Sequence, residues 1–139
     1  MRVLAIDFGT RRIGTAVSDA LGISVRPVET IKRSSNQRDI ARLKALVEDL
    51  EAEAVVVGLP LRMDGAEGDA ARSVKRFAAS LQAQIGVEVF THDERLTSYE
   101  AEQIMTERGL SRSERRAQSD TLSATIILRD YLSTAKRKN

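Results

Sequence analysis

The hydrophobic pattern of this chain changes period once, near residue 34, and that change restricts the folds open to it. Ahead of the change, Val3-Leu4-Ala5-Ile6 is a run of four apolar residues stopped by Asp7-Phe8-Gly9, which marks a strand buried on both faces. Ile13 to Ser18 then alternates large residues (Ile13, Thr15, Val17) with small ones (Gly14, Ala16, Ser18), the period of a second strand. Only the four residues Gly9-Thr10-Arg11-Arg12 join the two, so they pair as an antiparallel hairpin. A third strand is predicted from about Val25 to Ile31, and Pro27 places it at an edge or at a strand start.

Beyond residue 34 the apolar spacing becomes helical. Ile40, Leu43, Leu46, Val47 and Leu50 follow the capping cluster Ser34-Ser35-Asn36 and predict an amphipathic helix over about 37–51. Ala54-Val55-Val56-Val57-Gly58 reads as a buried strand ended by Leu59-Pro60. A polar loop follows from Leu61 to Gly68, in which Asp64-Gly65 is most simply a turn. Ala70, Val74, Phe77, Ala78, Leu81 and Ile85 mark a second helix, and Val87 to Thr91 a last strand. Strands joined through helices run parallel. The fold class is therefore α/β, with a five-stranded mixed sheet of three antiparallel then two parallel strands, flanked by helices.

The capping box Thr97-Ser98-Tyr99-Glu100 predicts a helix reaching to about Arg108, with Gly109 as its stop. An arginine-rich segment from Arg108 to Arg116 then leads to a final helix over about Ala117 to Thr134. Along that helix Asp120, Ala124, Ile127, Leu128 and Tyr131 share one side, which puts a carboxylate toward the sheet about one turn from the helix start. Residues 1–134 form a single domain, and 135–139 are expected to be a basic flexible tail.

Charge is unevenly distributed. Residues 1–38 carry 7 Lys and Arg against 3 Asp and Glu, residues 39–107 carry 7 against 14, and residues 108–139 carry 8 against 3. Basic ends that meet around an acidic middle would suit an enzyme that handles a polyanion through metal ions. There is no cysteine, which excludes disulfides and thiolate metal sites and suits a reducing cytoplasm. No apolar stretch approaches the roughly 20 residues of a membrane span. The chain is therefore read as soluble and cytoplasmic, without a membrane partner.

Three acids stand where such a site would form. Asp7 ends the first strand, Glu94 follows the last strand within His92-Asp93-Glu94-Arg95, and Asp120 sits on the final helix. Sites in open sheets form outside the carboxyl ends of adjacent strands. Clustered carboxylates repel unless cations bind between them. With a single histidine and no cysteine in the chain, hard oxygen donors point to Mg²⁺ or Mn²⁺. Two such ions would activate a water and stabilise the leaving oxygen in phosphodiester hydrolysis. Arg11, Arg12 and Arg95 neighbour the acids in sequence and are assigned to phosphates of a nucleic acid. His92 is expected to be structural or exposed. Neighbouring residues on an extended segment point opposite ways, so only one of Asp93 and Glu94 can face the metals.

The element order, with these acids in place, resembles the ribonuclease H-like superfamily. More closely, Asp7-Phe8-Gly9-Thr10 through Ile13-Gly14, Gly58-Leu59-Pro60-Leu61 with Met63-Asp64-Gly65, Asp93-Glu94-Arg95-Leu96-Thr97, and Asp120 with Ser123-Ala124 and Ile126-Ile127-Leu128 resemble the YqgF family, also called RuvX. The likeness spans about residues 1–133. It implies a metal-dependent nuclease that trims the 5′ end of the 16S ribosomal RNA precursor. It also implies Asp7, Glu94 and Asp120 as catalytic and metal-binding residues, and it selects Glu94 over Asp93. Arg115-Arg116-Ala117-Gln118-Ser119 stands where many family members carry a lysine and a glycine before the last aspartate. Three alternatives stay open. A Holliday junction resolvase would cut branched DNA as a homodimer. Actin-like ATPases and sugar kinases share the Asp7-Phe8-Gly9-Thr10 pattern but enclose their nucleotide between two such domains. A non-catalytic RNA-binding assembly factor would gain nothing from clustered acids facing phosphate.

Overall fold

A computed structural model describes residues 1–95, 103, 107–109 and 112–137, excepting the side chains of 112–119, 136 and 137. In chain order the elements are β1 (Val3–Phe8), β2 (Arg12–Ser18), β3 (Val25–Lys32), α1 (Asn36–Leu50), β4 (Ala54–Leu59), α2 (Asp69–Ile85), β5 (Glu88–Asp93) and α3 (Arg112–Arg137). They form one sheet in the order β3-β2-β1-β4-β5. β1 pairs antiparallel with β2, and β2 with β3; β1 and β4, and β4 and β5, are parallel. The mixed sheet is the one the period change predicts, and Pro27 lies on the edge strand β3.

The two sheet faces differ in side-chain size, and this difference positions the site. Leu4, Ile6, Ile13, Val17, Val55 and Val57 face α1 and α2 and interlock with Leu43, Phe77 and Leu81. The opposite face carries Ala5, Ala16 and Ala54 beside Val3 and Val56, and α3 packs onto it through Ala124, Ile127 and Leu128. Ile127 and Leu128 are fully buried, worth up to about 1.5–3 kcal/mol each as area removed from water. A floor of small residues lets a single helix cross low over the strands. At the outer edge the β2–β3 register shifts between Gly14 and Ala16. The buried Thr15 hydroxyl bridges the gap, donating to Glu29 O at 2.6 Å and accepting from Glu29 N at 3.0 Å.

Three expectations need correction. The final helix starts at Arg112, not near Ala117, because Arg112, Glu114, Arg115 and Arg116 are strong helix formers that extend it toward the N-terminus. Asp120 thus lies more than two turns into α3, where the helix dipole no longer explains a carboxylate. β5 runs from Glu88 to Asp93 instead of 87–91, since His92 and Asp93 pair in register with Gly58 and Leu59. The helix predicted from Thr97 lies almost wholly outside the described residues, although Gly109 has the left-handed φ of 69° expected of its stop. Among the described residues no helix is long and apolar enough to cross a membrane.

Candidate active site

Alternation along β1 determines where Asp7 points. Phe8 packs into the α1–α2 side, its ring stacked on Phe77 at 4.1 Å between centroids, so Asp7 must face α3. Arg33 secures the turn that follows. Its guanidinium lies 4.3 Å over the Phe8 ring, donates to Gly9 O at 3.2 Å, and donates through Nε to Asp39 Oδ2 at 2.8 Å. Asp39 is 2 % exposed and accepts a further hydrogen bond from Ser34 N. The tight return is closed by Gly9 N donating to Arg12 O at 2.9 Å, and a Cβ on Gly9 would lie 2.7 Å from that oxygen.

Two glycines admit the other acids. Gly14 is the β2 partner of Asp7, and a Cβ placed on it would lie 2.0 Å from Asp120 O and 2.3 Å from Asp120 C. The backbone of α3 therefore touches the sheet at this point, which sets Asp120 beside Asp7. Gly58 lies on β4, on the other side of β1. A Cβ there would meet Glu94 Oε2 at 2.4 Å and Ile127 Cδ1 at 2.6 Å, so the Glu94 carboxylate rests on bare backbone. Glu94 N donates to Leu59 O at 3.1 Å, continuing the β4–β5 association one residue past the strand. The three acids lie side by side, with Asp7 in the middle.

Their electrostatics agree with that order. Burial, and then the neighbouring Asp120, raise the Asp7 carboxyl to about 6. Burial, then Asp7 and then Asp93, raise Glu94 to about 8. Asp120 Oδ2 is buried and lies 3.0 Å from Arg12 Nε, an ion pair by distance but not aligned as a hydrogen bond. That oxygen has no hydrogen-bond donor among the described residues. Buried carboxylate oxygens normally accept hydrogen bonds, and an unmatched one is costly. Hard oxygen donors, two of them with raised pKa values and one paired with Arg12 without an aligned hydrogen bond, are the kind a hard divalent cation takes. Among the described residues no three such side chains close round a single point. Asp7 has Asp120 as its charged neighbour on one side and Glu94 on the other.

The arginines and minor candidates lie around this row. Arg11 is exposed on the tip joining β1 and β2, and Arg12 is half-exposed against Asp120. Arg95 donates through Nε to Asp93 Oδ2 at 2.8 Å and through Nη1 to Met63 O at 3.3 Å, so it ties the β4–α2 loop to the end of β5. Asp93 thereby turns to Arg95 while Glu94 lies over Gly58. His92 contacts Asp130 Oδ2 at 2.6 Å and meets the Tyr131 ring edge-on. Asp64 accepts from Ala66 N at 2.9 Å, as a turn residue does. Sequence reasoning had Gly14 and Gly58 only as members of family motifs, without a role in the site, and did not pick out Arg33. The large-small alternation in β2 carried the signal for Gly14; nothing local distinguished Arg33 from its basic neighbours.

A family model described as "RuvX: Holliday junction resolvase" matches residues 1–134. A protein of Anaeromyxobacter dehalogenans (strain 2CP-1) is 45% identical over 132 residues, covering 95% of this chain and 96% of its own length. One of Koribacter versatilis is 43% identical over 131 residues, covering 94% and 86%. Both are called "Putative pre-16S rRNA nuclease". Among solved structures, Thermus thermophilus RuvC in complex with a Holliday junction substrate is 20% identical, with a TM-score of 0.59 and 96% of each chain covered. The fowlpox virus resolvase with Holliday junction DNA is 8% identical, with a TM-score of 0.61 and coverage of 97% and 99%. These structures share the ribonuclease H-like fold with the chain.

Proposed function

The chain belongs to the RuvX family and is a nuclease, a hydrolase of phosphodiester bonds; we propose that it works with Mg²⁺ or Mn²⁺ and processes the 5′ end of pre-16S ribosomal RNA. The observation that carries the metal-dependent reading is the row of half-buried acids on the cleared glycine floor, with Asp120 Oδ2 lacking an aligned hydrogen-bond donor among the described residues. Asp7, Glu94 and Asp120 would hold the metal, Asp7 as the shared ligand. Bound there, divalent ions supply water activation and charge stabilisation at the leaving oxygen. The chain's own residues do the rest. At neutral pH the metal-free Glu94 keeps its proton and Asp7 is largely ionised, so loading the site releases a proton from the Glu94 carboxyl. Arg11 and Arg12 bind backbone phosphates next to the scissile bond, and Arg95, paired with Asp93, lines the mouth beside Glu94.

The substrate assignment draws on the names of the curated relatives, whose lengths this chain nearly matches. The description of the family model favours a second reading, a Holliday junction resolvase, which would have to act as a homodimer to cut two strands. The test is cleavage of a pre-16S 5′ leader RNA, an unstructured RNA and a four-way DNA junction with Mg²⁺ or Mn²⁺, comparing the parent with Asp7→Asn and Glu94→Gln. Each substitution is expected to lower the rate at least about 100-fold, roughly 2.7 kcal/mol of transition-state stabilisation. Unchanged cutting by folded variants refutes the site. Paired cuts in the junction with the leader left intact select the resolvase.

A further inference from the structure

We propose that the substrate strand leaves the acidic row across the β2–β3 end and onto the first turn of α1, with Arg11, Lys32 and Arg38 contacting successive phosphates. This rests on the nuclease reading. Arg11, Lys32 and Arg38 are exposed, and their side chains have no acid or carbonyl partner among the described residues. The basic side chains around them are already matched. Arg12, paired with Asp120, belongs to the scissile phosphate, while Arg33 meets Asp39 and Arg42 meets Glu29. The backbone brings the free cations to one end of the β2–β3 pair. Arg33 N donates to Arg11 O at 2.9 Å, Arg12 and Lys32 are cross-strand partners, and Lys32 and Arg38 line one hollow of about 340 Å³ with Thr30 and Ser34. The carboxylates bordering that hollow, Glu29 and Asp39, are those already neutralised by Arg42 and Arg33.

Two features indicate an anionic occupant. Arg38 lies in the first turn of α1, where the helix dipole disfavours a cation, so a phosphate beside it relieves the free protein of an unfavourable placement. The opposite flank also differs. There Arg95 is matched by Asp93 and Lys75 by Glu67, Asp64 adds a negative charge, and the exposed Arg62 alone in the β4–α2 loop lacks an acid partner among the described residues. A polyanion that must approach three acids meets three unmatched cations on the β3 side, against Arg62 beside the charge of Asp64 on the β5 side. From Asp7 across β2 to β3 is two strand spacings, roughly 10 Å, the length of about three phosphates along a helical strand. Three such contacts imply a salt slope of about −2 for a single strand, or about a 20-fold loss of affinity between 50 and 200 mM salt.

The test is fluorescence anisotropy of the full chain with a fluorescein-labelled 20-nucleotide single-stranded RNA, in EDTA so that nothing is cut, across 50–200 mM KCl. Arg11→Ala, Lys32→Ala and Arg38→Ala are each expected to reduce the slope of log K against log salt by about 0.7. Arg26→Ala, an equal charge loss at the far end of β3, is expected to leave it unchanged. Unchanged slopes in Lys32→Ala and Arg38→Ala, an equal loss in Arg26→Ala, or no binding by the parent at 50 mM salt would each overturn the track. Cleavage is read separately with Asp7→Asn. A reduced slope in the three variants with no cutting by the parent would leave the track standing and remove the nuclease reading, and the converse would remove the track alone.

Discussion

Replacing Gly14 with alanine tests whether the low crossing of α3 over β2 builds the site. Elsewhere in a strand this change would add a fraction of a kcal/mol of stability, because glycine loses more backbone freedom on folding. Here the added carbon would lie 2.0 Å from Asp120 O and 2.3 Å from Asp120 C, against the 3.4 Å or more of ordinary contact. These are backbone atoms in the middle of a 26-residue helix, so relief requires lifting α3 by more than 1 Å. Lifting it loosens the packing of Ala124, Ile127 and Leu128 and parts Asp120 from Asp7. Overpacking of this kind costs about 1–3 kcal/mol, which for a chain of this size is roughly 5–12 °C in Tm. A misplacement of about 1 Å in a catalytic group costs on the order of 100-fold in rate. Thermal unfolding followed by circular dichroism and cleavage at saturating substrate measure the two effects. Gly86→Ala is the comparison. It strains a φ of 81° at the end of α2 but meets nothing within 4 Å, so it should lower Tm while leaving the rate intact. A Gly14→Ala protein with parental Tm and parental rate would refute the reasoning.

Further expectations follow from the same geometry. Asp7 and Glu94 have folded-state pKa values raised above their ordinary ones, to about 6 and about 8, so the folded protein binds more protons than the unfolded chain between about pH 4 and pH 8. Metal-free stability should therefore fall by a few kcal/mol as pH rises through that window, and Mg²⁺ or Mn²⁺ should raise Tm more at pH 8 than at pH 5; a flat metal-free profile by calorimetry would contradict this. Glu94→Gln should abolish cleavage while Asp93→Asn keeps it within a few-fold, and equal losses would mean that Asp93 also faces the reaction. Arg33→Met leaves the buried Asp39 charge unmatched and should cost about 3–5 kcal/mol in denaturant unfolding, with much of it regained in Arg33→Met/Asp39→Asn.

Much of the architecture was legible because it is written in local periods. A change from period two to helical spacing separates the antiparallel half from the parallel half, and Pro27 marks the edge strand it occupies. Acids at strand ends were equally visible, since a charge that interrupts an apolar run needs a partner whatever the fold. The boundaries of β5 and α3 were less so. His92 and Asp93 join the ladder only because β4 offers Gly58 and Leu59 to pair with, and the basic segment ahead of Asp120 could as well have been a connector.

What the linear chain determined by itself was the order of elements and the sheet face on which each strand residue falls, because alternation and helical spacing are properties of neighbours. The tertiary structure decided how close α3 comes to the sheet, that Gly14 and Gly58 are where it and Glu94 come to rest, and that Arg95 takes Asp93 and leaves Glu94 over the floor. It also decided that the arginine guarding the turn after Asp7 is Arg33, the residue just past the end of the third strand. These are distances between atoms remote along the chain, set by the packing of small side chains against one helix, and no local pattern records them.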